Sequence, residues 1–143
     1  MLIQTGGPWL REPPFATAVG TIRPNAPPSL NCESDHAYLQ VPANGMQVFE
    51  SIVITGTAYT DDFAFYRIEL NGPSTFNSFA VYDEHLTPVT ETGPLGQFNP
   101  APYEPGWYEF RLMVFDITNT LRASCLVNIY VSGPLPTSTP SES

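Results

Sequence analysis

The chain contains no lysine, and its only basic side chains besides two histidines are five arginines set against fourteen acidic residues. Without lysine no Lys–Asn isopeptide cross-link can form, and Schiff-base or general-base chemistry on a lysine amine is excluded. The formal net charge of −9 and a pI near 4.3 repel nucleic acid and anionic lipid headgroups, so neither is an expected partner. Charged residues make up 13% of the chain, about half the usual share, so the surface must be built from Ser, Thr, Asn, Gln and Pro. No apolar run approaches the length of a membrane span, and no membrane insertion is expected. The N-terminus lacks a basic region followed by an apolar core, so it is not an intact signal peptide. Both ends read as linkers, which points to a mature form or, preferably, a fragment.

Cysteine is equally sparse. Cys32 and Cys125 lie too far apart for a CxxC redox pair or a zinc finger. Two states stay open from the residues alone: one long-range disulfide or two buried thiols. Closing so long a loop would stabilise the fold by about 4–5 kcal/mol in the chain-entropy picture, and would imply an oxidising compartment.

What is present is alternation. In Gly106–Asp116, residues Tyr108, Phe110, Leu112 and Val114 recur every second position while Glu109 and Arg111 alternate with them. That is the period of a half-buried strand and not of a helix. Leu121–Val131 repeats it, with Cys125, Val127, Ile129 and Val131 on the core face. Sixteen prolines and ten glycines argue against long helices and for many turns.

Residues 1–31 read as a Pro-rich arm or linker in which Phe15–Ile22 is a possible short strand able to add to a neighbour's sheet edge. The domain proper is expected over 32–132. Ala37–Pro42 is its first strand, and Gln47–Tyr59 its second, with Ile52, Ile54, Gly56 and Ala58 on one face. The small residues there suggest close approach of a neighbouring backbone. Phe63–Leu70 is the third strand, and Asn71-Gly72 reads as a two-residue hairpin turn returning through Phe76–Tyr82. Asp83-Glu84-His85 is a polar tip, and any strand within Thr87–Phe98 is short. Residues 133–143 form a Ser/Thr/Pro-rich linker, with only a superficial sortase-like Leu135-Pro136-Thr137. About seven short strands with turn signals at this spacing predict an all-β, immunoglobulin-like β-sandwich. Tyr108 is placed like a tyrosine-corner residue.

Several stretches together resemble the bacterial extracellular Ig-like modules found as repeats in cell-envelope proteins of Chloroflexi-type lineages. They are Cys32 with the Pro42–Gly45 turn, Ile52-Val-Ile-Thr-Gly-Thr-Ala58, Phe63-Ala-Phe-Tyr-Arg-Ile-Glu69, Gly93-Pro-Leu-Gly96, Gly106–Asp116 and Cys125-Leu-Val-Asn-Ile-Tyr-Val131. The resemblance covers residues 32–131. It implies the fold, a cell-surface or secreted location, and a Cys32–Cys125 bridge that is not of antibody type. It also implies a spacer or binding role beside other domains of the same or neighbouring surface proteins, and carries over no catalytic residue.

Candidate sites follow from the loops and faces. Asp61, Asp62, Asp83, Glu84 and Asp116, with Asn119, would supply Ca²⁺ oxygen ligands if their loops converge. The simpler reading is solvated carboxylates, with Asp116 capping its own turn. Asp61, Asp83 or Glu84 as an acid–base pair lack an expected cleft. His36 and His85 have no Gly-x-Ser-x-Gly elbow to serve, so no enzyme is expected. The non-core positions of the third, sixth and seventh strands are more informative: Phe63, Phe65, Arg67, Trp107, Arg111, Met113, Phe115, Leu126 and Tyr130. Aromatics with arginine are what interface hot spots and sugar-stacking platforms use. The competing reading is cover by the domain's own N-terminal arm. A spacer and protein-interaction module is therefore the leading expectation. The alternatives are a polysaccharide-binding module and a filament subunit with a strand-donating arm.

Overall fold

A computed structural model describes residues 22–133. The expected strand Phe15–Ile22, except Ile22, and the Ser/Thr/Pro tail beyond Gly133 lie outside the described residues. Eight strands are present among them: β1 Ala37–Val41, β2 Gln47–Val48, β3 Ile52–Ala58, β4 Phe63–Asn71, β5 Ala80–His85, β6 Val89–Phe98, β7 Gly106–Asp116 and β8 Leu121–Val131. They form a three-stranded sheet in the order β1-β3-β6 and a five-stranded sheet in the order β2-β8-β7-β4-β5. The chain is thus an all-β sandwich.

The alternation in β7 and β8 is what fills the space between the sheets. Tyr108, Phe110, Leu112 and Val114 of β7 are buried, as are Cys125, Val127, Ile129 and Val131 of β8. They face Ile52, Ile54 and Ala58 of β3 and Leu95 and Phe98 of β6 within one core cluster. Each large side chain so buried contributes about 1.5–3 kcal/mol. Phe98 and Phe110 meet edge-on, ring centroids 5.5 Å apart, the geometry the ring quadrupoles prefer. Cys32 and Cys125 are joined by a disulfide, tying the segment before β1 to the core face of β8. None of the described helices is long and apolar enough to cross a membrane.

The structure corrects four expectations about elements. Gln47–Tyr59 is not one strand. It breaks after Val48 because β2 pairs in parallel with Tyr130 and Val131 of β8, whereas β3 belongs to the other sheet. The Asn71-Gly72 hairpin does not form. Pro73 follows directly and has no N–H for a returning ladder, Gly72 is extended, and the reversal runs through a 3₁₀ turn at Pro73–Thr75 with Phe76 and Asn77 in the left-handed region. The return strand therefore starts at Ala80, and Asp83, Glu84 and His85 lie inside β5 rather than at a loop tip. Finally, β6 is ten residues long despite Pro94 and Gly96. It is a sheet edge, where a missing N–H costs little, and two register shifts against β3 absorb the irregularity.

The small residues of β3 mark the close approach expected of them. Gly56 pairs with Leu39 of β1, and a Cβ on it would fall 1.8 Å from the Tyr38 carbonyl oxygen. The tyrosine-corner placement is also realised: Tyr108 Oη donates to the Glu104 carbonyl at 2.8 Å and accepts from the Ser74 N–H at 3.1 Å.

Candidate interaction face

The outer face of the five-stranded sheet is laid out by cross-strand register. Rows run Phe65–Phe115, Arg67–Met113–Ser124, Glu69–Arg111–Leu126, Asn71–Glu109–Asn128 and Trp107–Tyr130–Gln47. Side chains opposite one another in such rows lie within interaction distance.

At one end Phe65 and Phe115 stack, centroids 4.7 Å apart at 18°. The Arg67 guanidinium stands 5.4 Å and 5.1 Å from their ring centres, a cation–π arrangement. Arg67 also reaches Glu84 at 3.1 Å and Glu69 at 3.5 Å. In the middle, Glu69 is buried to 7% exposure and is held by both Arg67 and Arg111. An unpaired carboxylate there would be costly, and the two arginines offset that cost by pairing it. Arg111 packs its guanidinium 3.6 Å over Phe79, a residue just before β5 that is not among those expected on this face. At the other end Trp107 meets Tyr130 edge-on, centroids 5.4 Å apart, and Trp107 remains 38% exposed.

Of the residues expected on this face, Phe65, Arg67, Trp107, Arg111, Met113, Phe115 and Tyr130 are brought together. Phe63 is not. A bulge between Phe63 and Phe65 shifts the register against β7, and Phe63 packs against the core beside Tyr66. Leu126 is buried where Leu30 exchanges two backbone hydrogen bonds with it, at 2.9 Å and 3.0 Å. The arm thus covers part of the face, as the competing reading requires. It seats at Asn128, whose side chain donates to Pro27 O, and at Tyr130, whose ring carries the Arg23 guanidinium 3.8 Å from its centre. The Phe65–Phe115 end and Trp107 stay part-exposed. Arg23 lies outside every strand and Phe79 just before β5, so strand period alone does not mark either as part of this face.

The remaining candidates fall elsewhere. Asp116 caps its own turn: its Oδ1 accepts from the Thr118 N–H at 2.9 Å, the Thr118 hydroxyl at 2.6 Å and the Thr120 N–H at 3.2 Å. These bonds, the Thr118 hydroxyl first, hold its carboxyl below the usual range against the opposing effect of burial, and Arg122 adds to them. Asp62 reaches the same end of the sandwich through its carbonyl, which accepts from the Ile117 N–H. Asp83 and Glu84 project from β5 instead. Among the described residues no three His, Cys, Asp or Glu side chains are grouped to hold a metal ion. Asp83 Oδ2 contacts His85 Nε2 at 2.7 Å, in the space left open by Gly96. Nearby, Tyr66 donates to Leu95 O at 2.7 Å, and burial, then the Asp83 charge, pushes its hydroxyl up to about 12. Among the described residues no serine, threonine or cysteine side chain is hydrogen-bonded to His85. His36 stacks on Tyr59, ring centres 4.5 Å apart.

No family model, curated protein or solved structure matches this chain.

Proposed function

We propose that the chain carries a non-catalytic, extracellular immunoglobulin-like module of a bacterial surface or secreted protein, which presents the outer face of its five-stranded sheet to a partner protein. The observation that carries this reading is the part-exposed Phe65–Phe115 stack with Arg67 above it, since aromatic and arginine side chains are enriched at interface hot spots. The strand order, the tyrosine corner and the long-range disulfide support the fold family and an oxidising compartment.

The test is the Trp107→Ala/Phe115→Ala double variant, with a photo-cross-linking residue at Met113 in the otherwise native chain. Retained folding, weakened self-association in sedimentation, and cross-links to one secreted or surface protein are expected. An unfolded double variant would assign these residues to the core and overturn the reading. A carbohydrate-binding role is the second reading, favoured by the exposed indole of Trp107; a polysaccharide pull-down with wild type and Trp107→Ala separates the two. A strand-donating filament subunit is tested by removing residues 1–21 only, because residues 22–31 pair with β8 and the Met46 segment.

A further inference from the structure

The Trp107 end of the face differs chemically from the Phe65–Phe115 end, and the difference lies in one arginine. Four arginines are among the described residues. Arg67, Arg111 and Arg122 each contact a carboxylate. Arg23 meets none among the described residues, although the chain has a net charge of −9. Its guanidinium lies over Tyr130 at 3.8 Å and donates through one nitrogen to Gln47 Oε1 at 3.2 Å. Most of its five N–H donors are left for another acceptor.

This arginine is also held in place. The Arg23 N–H donates to Gly45 O at 2.7 Å. Gly45 has φ +85°, and a Cβ there would press on Ile22, the Arg23 carbonyl and Ala26 at 3.2 Å each, so only glycine lets the arm seat so closely. Gln47, in turn, is fixed by donating to Ser132 Oγ at 3.2 Å. Beside these groups opens a cleft of about 490 Å³ lined by Ile22, Arg23, Pro24, Asn25, Gln47 and Trp107.

We propose that this cleft binds a sugar residue bearing a single carboxylate. The Trp107 indole supplies a flat apolar surface for the C–H face of a pyranose ring, Arg23 takes the carboxylate through charge-assisted hydrogen bonds, and the amides of Gln47 and Asn25 serve the hydroxyls. A cleft of this size matches small-ligand sites in general. The overall negative charge selects against a polyanion but not against one carboxylate at the site, because the field of distant acidic groups is screened beyond about 8 Å at physiological salt while the adjacent arginine is not. This site does not depend on a protein partner at the Phe65–Phe115 end, and its test turns on Arg23, which the partner test leaves unchanged.

The test titrates the full chain, by amide and indole NMR, with a disaccharide ending in glucuronic acid and with the same disaccharide ending in glucose. The acidic sugar should move the Trp107 indole N–H signal and bind about tenfold or more tightly than the neutral one, as expected for hydrogen bonds to a charged group. Arg23→Gln should erase that preference, Arg23→Lys should keep part of it, and Trp107→Ala should abolish binding of both. Unchanged Leu126 and Asn128 amide signals in the Arg23 variants show that the arm remains seated; if they move, the Arg23→Lys comparison decides. Raising the salt should weaken only the acidic sugar. Equal affinity for both sugars, a preference that survives Arg23→Gln, no shift at Trp107, or stronger binding of a capped acidic peptide to the same signals would each overturn the proposal.

Discussion

Replacing Gly56 with alanine tests whether β1 and β3 of the smaller sheet are packed as closely as the structure shows. Its φ lies outside the left-handed region, so the usual benefit of a Gly→Ala change, about 0.4–1 kcal/mol from a stiffer unfolded chain, would apply if space allowed. Space does not allow it. The new Cβ would sit 1.8 Å from Tyr38 O, 2.9 Å from the same carbonyl carbon and 3.2 Å from Leu39 Cα, all backbone atoms of β1. A relaxed C···O approach is about 3.3 Å, so β1 must retreat by about 1.5 Å. That displacement pulls the buried Ala37 and Leu39 away from the core. Overpacking of this kind costs about 1–3 kcal/mol or somewhat more, so a net loss near 2–3 kcal/mol is expected. For a domain of this size the melting temperature should fall by about 7–13 °C. The matched control is Gly93→Ala in β6, where the added Cβ meets Glu91 O at 3.5 Å and Val89 Cγ1 at 3.9 Å, ordinary distances. It should be neutral or slightly stabilising. Urea unfolding followed by tryptophan fluorescence measures both. Equal stability of the two variants would refute the close approach.

Replacing both Cys32 and Cys125 by serine opens a loop of 93 residues, and should lower stability by about 4–5 kcal/mol in chemical denaturation; a loss below 1 kcal/mol would show that the unfolded chain is already constrained. Asp116 has its folded-state carboxyl lowered by the Thr118 hydroxyl first. Its stabilisation is present above the ordinary carboxylate range near pH 4 and is lost as the pH falls through the lower folded value. An acid-unfolding series with Asp116→Asn should lack that component, and an unchanged pH profile would remove Asp116 from the account. Tyr66 behaves in the opposite sense: its hydroxyl is raised to about 12, so the stabilisation is full below the ordinary tyrosine value of about 10 and is lost as the pH rises from there through 12. Ultraviolet titration should find a tyrosine that titrates near 12 and disappears in Tyr66→Phe.

Much of the fold was legible because burial imposes a period. Tyr108, Phe110, Leu112 and Val114 had to share one face, and Cys125 had to lie in phase with Val127 and Ile129, whatever the strands' neighbours were. Gly56 and Ala58 signalled a close approach by their size alone. The misreadings share a different cause. Asn71-Gly72 is a strong local turn signal, yet Pro73 and the ring of Tyr108, which a Cβ on Gly72 would meet at 2.4 Å, impose another reversal. Phe63 changed faces because one bulge reverses the side-chain parity of everything before it. Asp83 and Glu84 fall inside β5 and not in a tip because the strand starts four residues and ends three residues later than the expected Phe76–Tyr82.

The sequence by itself determined the class of the fold, the residues that fill the core and most of those left outside it, since these follow from hydrophobic period and turn chemistry within a few residues of chain. Only the tertiary structure decided which strands are neighbours and what meets on the outer face. Arg23 reaches Tyr130, Leu30 pairs with Leu126 and Glu69 is shared by Arg67 and Arg111 through pairings that are mostly distant in sequence. No local pattern encodes such meetings, because their energy appears only once the sheets have packed and the arm has been laid across them.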